Sequence, residues 1–194
     1  MKNCRTGIVL ILGTAVGGGV FQEQWLLCRR HGIAGEFSYI MTSNDEQLCE
    51  ENFLALYCDV PALVTLTAQR MQLSEAQLSS EKILEYALAG NEEYRQCIRT
   101  YAHRIAQQIM NLQMVMDPDR FAIGGGISSQ TLLLELIQEE VQRLSISYPH
   151  PMPVPEVVTC RFRNDANLLG ALFHYLWYIE KVTGNVTSLR EDNS

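Results

Sequence analysis

An unbroken apolar run, GIVLIL at residues 7–12, stops at GTAVGGG, residues 13–19. A short continuous apolar run closed by glycines reads as a buried strand. VFQEQWLLC follows with two β-favouring runs around Glu23 and Gln24, the pattern of a hairpin. RRHGIAGEFSYIMTS, broken by Gly32 and Gly35, reads as a loop. Residues 44–73 read mostly as helix, interrupted at Asp59-Val60-Pro61, where Asp59 suits a cap and Pro61 a first helical turn. Serines open a short helix in SSEKILEYALAG, which closes on Gly90. Asn91 caps a long one, with Ile98, Tyr101, Ile105, Ile109, Leu112 and Met116 recurring on one face. DPD, residues 117–119, ends that helix, and RFAI forms a strand running straight into GGGIS. Residues 130–144 predict a helix, SYPHPMPVP an irregular connector, EVVTC a strand, and residues 165–181 a last helix. Strands alternate with helices and no internal repeat is present, which makes the class α/β. One lobe over residues 7–182 is expected, with a polar tail at 183–194.

Composition narrows the function classes. Of the 194 residues 47% are hydrophobic, enough for a core, and the formal net charge is −7. An acidic chain without a basic patch is a poor nucleic-acid binder, so no nucleic-acid partner is expected. The six cysteines contain no CxxC pair and no zinc-like spacing, which reads as free thiols in a reducing cytoplasm. MKNCR followed by the apolar run has the outline of a secretory leader. The run is too short to span a bilayer and lacks a small-x-small cleavage site, so a strand is expected there and no membrane partner.

Two strand-to-glycine junctions carry the candidate chemistry: GIVLIL–GTAVGGG and RFAI–GGGISS. Glycine loops at the C-terminal ends of strands let backbone N–H groups approach a ligand, and in open α/β sheets ligands bind at that edge. The Thr14 hydroxyl and the loop amides suit phosphate. Neither loop is a P-loop, because the first lacks the Lys-Ser/Thr ending, and neither is a full dinucleotide fingerprint. A second reading stands beside this one: Gly17, Gly18 and Gly19 serve only a tight strand-to-strand turn.

These motifs, in this order, resemble the ROK group of bacterial sugar kinases and repressors. LGTAVGGGVF is similar to the family's second phosphate loop, and HGIAGEFSY to its sugar-contacting AGE segment. The stretch from LEYALAGN through MDPDRFAIGGGIS resembles the long helix, the Asp-Pro break and the glycine loop near adenosine, and NDANLLGALFHYL the closing helix. The resemblance implies a ribonuclease-H-like (actin-like ATPase) lobe, a mixed sheet flanked by helices, and the C-terminal lobe of a two-lobed kinase. It implies phosphate contacts at Gly13, Thr14, Gly17 and Gly18, a nucleotide-side loop at Gly124, Gly125 and Gly126, and sugar contacts at Gly35 and Glu36. ATP and Mg are the implied cofactors, sugar and nucleotide the ligands.

The departures from the family pattern matter as much. No DxGxT phosphate loop occurs, and Asn164-Asp165 falls at the closing helix, where Asp165 reads as a cap and not as the catalytic base. No catalytic residue is therefore assigned to this chain. Tyr39 stands where the family has a metal-binding histidine, the following cysteine cluster is replaced by NDEQLCEENFLALYC, and Ala55 stands where a second sugar-binding glutamate belongs. No zinc is expected. The expectation is an N-terminal lobe absent from the chain: half of an ATP-dependent hexose kinase, not competent alone, completed by a separately encoded lobe or acting as a homodimer. The alternative is a non-catalytic sugar-sensing or oligomerising module related to ROK regulators.

Overall fold

The computed structural model describes residues 4–183 except 24, 28, 29, 48, 151 and 163–165. A five-stranded sheet runs in the order β3-β2-β1-β4-β5. β1 (Thr6–Leu12) lies at its centre, antiparallel to β2 (Val16–Gln22) and parallel to β4 (Arg120–Gly124). β3 (Trp25–Leu26) and β5 (Val157–Thr159) form the edges. The mixed sheet and its helices are the α/β lobe expected from the alternation of patterns.

β1 alternates in burial despite its continuous apolar sequence. Ile8, Leu10 and Leu12 are sealed beneath helices, while Val9 and Ile11 are half-buried on the opposite face. There they line an apolar groove of about 630 Å³ with Ala122 and Val158. The hairpin of β2 and β3 is present, but β2 begins at Val16, before the glycine triplet ends. Gly17, Gly18 and Gly19 therefore lie inside a strand, paired with Ile11, Leu10 and Val9. The turn between β1 and β2 is Gly13–Ala15, where the Gly13 N–H donates to the Ala15 carbonyl at 3.1 Å. This corrects the reading of the triplet as the turn itself.

The expected helix over 44–73 is mostly absent in its first half. Only a single turn at Glu50–Asn52, α1 (Leu54–Tyr57) and α2 (Val60–Met71) are helical. Side chains claim the segment instead. Asn52 accepts from the Cys49 N–H at 2.6 Å and Sγ at 3.0 Å. It donates to Ser43 at 2.6 Å and Asp45 at 2.8 Å. Asn, Asp and Ser side chains that bond nearby groups compete with helix formation. The predicted caps are present: Asp59 accepts from the Ala62 N–H at 2.7 Å, Ser79 from Lys82 at 3.3 Å, and Asn91 from Glu93 and Tyr94.

α3 (Ser80–Leu88) leads into α4 (Glu92–Met116), whose stripe is buried at Ile98, Tyr101, Ile105 and Ile109. α5 (Thr131–Ser147) packs beside α4 on the same face of the sheet. A charged clamp joins the two. Glu140 of α5, with a side chain only 5% exposed, meets Arg99 at 3.3 Å, Arg143 at 2.8 Å and His103 Nδ1 at 3.1 Å. Burial pushes its carboxyl up, but Arg143, Arg99 and His103 together outweigh this and hold it below the ordinary value of 4.5. α6 (Ala166–Thr183) follows β5; its capping residue, expected at Asp165, lies outside the described residues, as does the tail beyond Thr183. Among the described residues no helix is long and apolar enough to cross a membrane.

A carboxylate with a lowered folded pKa stabilises above its unfolded pKa, and that contribution is lost as pH falls through the folded value. Glu140→Gln should therefore cost about 1–3 kcal/mol at pH 7. In urea melts the cost should shrink below pH 4.5, where the wild-type carboxylate also takes up a proton. An equal cost at pH 7 and pH 3.5 would contradict this role.

Candidate nucleotide-facing cleft

Both glycine loops leave the sheet at one end. β1 and β4 are parallel neighbours, so the Gly13 turn and the loop after Gly124 emerge side by side. Gly125, at φ +91°, sits against the backbone of Leu12 so closely that a β-carbon there meets the Leu12 carbonyl oxygen. The single turn Gly126–Ser129 and α5 follow at once. Between the loops lies a cleft of about 960 Å³, lined by Gly13, Thr14, Gly126 and Ile127 and walled by α2 and the start of α3.

The start of α2 is fixed to this cleft. The Val60 N–H donates to the Gly13 carbonyl at 2.8 Å, and Val60 and Pro61 line the space. Behind them Asp59 is buried; burial raises its carboxyl above the ordinary value against the pull of the Ala62 N–H, and among the described residues its Oδ2 has no hydrogen-bond partner. The Tyr101 hydroxyl donates to the Cys58 carbonyl at 2.8 Å, pinning this corner to α4. The Cys58 thiol beside it is pushed up to about 12, chiefly by burial, and is chemically quiet.

The lining is uneven. Val64, Leu84 and Ile127 offer apolar surface, while Ser79, Ser129 and Gln130 offer polar groups. Among the described residues Glu75 and Glu81 are the charged ones lining the cleft, and no Lys or Arg lines it. The lining pairs apolar surface with hydroxyl and amide groups. At the α2 N-terminus the Val60 and Ala62 N–H groups are taken by Gly13 and Asp59, which leaves loop N–H groups and Thr14 as the donors facing the space. Among the described residues no group of three metal-ligating side chains occurs, so a metal ion finds no protein-built cage in them.

The remaining predicted residues lie beside the cleft and not in it. Gly18 faces Phe37: a β-carbon on Gly18 meets the Phe37 ring and the Val9 carbonyl. Gly35, at φ +92°, approaches the Gly19 Cα, its own absent β-carbon falling 2.9 Å away. Ser38 Oγ donates to the Val16 carbonyl at 2.7 Å. The glycine-rich strand is thus the seat of the AGE segment, and Glu36 heads the single turn Phe37–Tyr39 with its side chain exposed. Gly17 has only the Ile11 Cβ nearby, at 3.8 Å. Gly124 lies at the end of β4 against Cys160. Tyr39 is 73% exposed, and the segment after it is cross-linked by the Asn52 network. Sequence reasoning missed the Val60–Gly13 bond and the contribution of Ser79 and Glu81; DVP marked a helix start, but nothing local showed where it points.

The sequence model of the ROK family matches residues 1–177. The chain belongs to the ROK family. It is 24% identical over 169 residues to a beta-glucoside kinase of Klebsiella pneumoniae, covering 87% of this chain and 54% of that protein. The ROK family protein from Streptococcus pneumoniae TIGR4, solved in complex with sucrose, superposes with a TM-score of 0.81 at 26% identity, over 92% of this chain and 61% of that one. A ROK family glucokinase from Streptomyces griseus, in complex with glucose and AMPPNP, gives 0.79 at 26% identity, over 88% and 60%. The chain therefore spans little more than half the length of these ROK relatives.

Two substitutions separate the glycines. Gly18→Ala should lower stability by about 1–3 kcal/mol through overpacking against Phe37, while Gly17→Ala should be close to neutral. Equal losses in denaturant melts would refute the seat assigned to Gly18. Because Asn52 organises the segment after Tyr39, Asn52→Ala should lower the melting temperature, whereas EDTA should leave the wild type unchanged. A drop with EDTA, or stoichiometric zinc in the purified chain, would reverse that account.

Proposed function

We propose that this chain is the nucleotide- and sugar-facing lobe of an ATP-dependent sugar kinase of the glucokinase type, acting in the cytoplasm. The observation that carries the reading is the shared cleft: Gly13 and Thr14 from one loop and Gly126 from the other line one space, with the α2 N-terminus bonded to Gly13. Family membership supports the same reading, as do the glucose and AMPPNP held by a related glucokinase.

The roles follow from chemistry. Val64, Leu84 and Ile127 take the nucleoside, and Ser79 and Gln130 its hydroxyls. The Thr14 hydroxyl and the amides after Gly13 meet phosphate oxygens. Glu36, exposed on its docked turn, accepts hydrogen bonds from sugar hydroxyls. Magnesium, when bound with nucleotide, neutralises phosphate charge, and with no acidic cage among the described residues it arrives with the phosphates. Phosphoryl transfer also needs a base for the sugar hydroxyl and the DxGxT-type phosphate loop; this sequence has no DxGxT, and its Asn164-Asp165 pair falls at the closing helix, so another lobe supplies both. Phe21, Trp25 and Leu26 at the sheet edge, with Leu168 and Phe173 of α6, leave apolar surface suited to such a partner or to a second copy.

Millimolar AMPPNP with magnesium should raise the melting temperature, since a ligand at 100 times its Kd stabilises by about 2.7 kcal/mol. Glucose should add a further rise that Glu36→Ala abolishes without changing the nucleotide effect. No shift with AMPPNP would overturn the nucleotide assignment; a glucose shift untouched by Glu36→Ala would overturn the sugar contact. A glucose shift without any nucleotide shift would favour the sugar-sensing module instead.

A further inference from the structure

A second cavity, of about 330 Å³, opens where Gln107, Gln108 and Asn111 of α4 face Leu144 at the end of α5, Tyr148 just beyond it, and Thr42 and Tyr57. It shares no lining residue with the nucleotide-facing cleft. Leu144 stands roughly 20 Å along α5 from the second glycine loop, counting ~1.5 Å per helical residue. The two sites are therefore separate, and the proposed kinase reading uses neither α4 amides nor Tyr148.

The lining has a definite chemical character. Amide and hydroxyl side chains dominate, and among the described residues no Asp, Glu, Lys, Arg or His takes part. Gln108 is 6% exposed. Its Oε1 accepts from Asn111 Nδ2 at 3.3 Å, while its Nε2 has no hydrogen-bond partner among the described residues. Gln108 Nε2 is not among the buried polar atoms left without a partner, so its donors open onto the cavity, where water or a ligand meets them. Gln107 and the Tyr148 hydroxyl likewise make no side-chain hydrogen bond among the described residues. Tyr57 is held rigid, its ring under the Arg104 guanidinium at 4.5 Å and its carbonyl accepting from Arg104 at 3.3 Å. Open donors, acceptors and two phenol rings, all uncharged, match a ligand that both donates and accepts through many hydroxyls and presents C–H faces to aromatic rings.

We propose that this cavity is a second site for an uncharged polyhydroxy ligand, a saccharide or cyclic polyol, recognised by Gln107, Gln108 and Asn111 with Tyr57 and Tyr148 at its walls. A phosphorylated sugar is disfavoured, because among the described residues no cation lines the cavity to meet its charge. The volume suits one or two sugar rings and lies at the small end for ligand sites.

The test is a titration of the 15N-labelled full chain with glucose, sucrose and myo-inositol, following the side-chain NH2 resonances of Gln107, Gln108 and Asn111. At least one probe should shift all three amides. The shifts should persist in Glu36→Gln, which separates this site from the sugar contact on the AGE turn. They should weaken by about tenfold in Asn111→Ala, the loss of one hydrogen bond. Asn111 is exposed, so this variant keeps its fold even where Gln108→Leu does not. Glucose 6-phosphate should shift the same amides far less than glucose. No shift with any of the three neutral probes overturns the proposal. So do shifts that vanish in Glu36→Gln or stay unchanged in Asn111→Ala.

Discussion

Gly125 meets the Leu12 backbone with no space for a side chain, and the site geometry rests on that contact. It lets the chain leaving β4 fold directly over the end of β1. Without it, the second glycine loop is pushed away from the first, and the cleft between them has no common floor. The parallel pairing of β1 with β4 supplies the same alignment from the sheet side. A third tie, from the Val60 N–H to Gly13, brings the α2 N-terminus to the same point. Three elements distant in sequence thus converge through backbone contacts, which is why side-chain chemistry at the cleft is sparse and glycine abundant.

The second use of glycine is different in kind. Gly18 and Gly19 do not free the backbone to turn; they clear the surface of β2 so that Gly35 and Phe37 can lie on it. The candidate sugar residue Glu36 is held on a platform, next to the edge where the glycine loops emerge but outside the cleft. The segment that follows is ordered by Asn52, whose amide gathers Ser43, Asp45 and Cys49. A hydrogen-bond hub stabilises a short range of chain, and here it organises residues 43–52.

Much of this was legible in the sequence, for physical reasons. The caps at Asp59, Ser79 and Asn91 and the α4 stripe are local rules, and local rules survive folding. The two strand-to-glycine junctions marked the sheet edge where both loops emerge. What stayed hidden is long-range. No local pattern shows that Phe37 fills the space over Gly18, or that the Asn52 side chain cancels a helix that propensity alone favours in 44–53. The reach of Glu140 to Arg99 was equally invisible, since the two lie 41 residues apart on different helices; only its i,i+3 neighbour Arg143 is local.

The central claim is that both glycine loops and the start of α2 face one nucleotide. Backbone amide shifts of the labelled chain, titrated with AMPPNP and magnesium, measure this directly. Thr14, Val60, Gly126 and Ile127 should move together along one binding curve. Movement confined to one loop, or centred on residues outside this cleft, would contradict the claim.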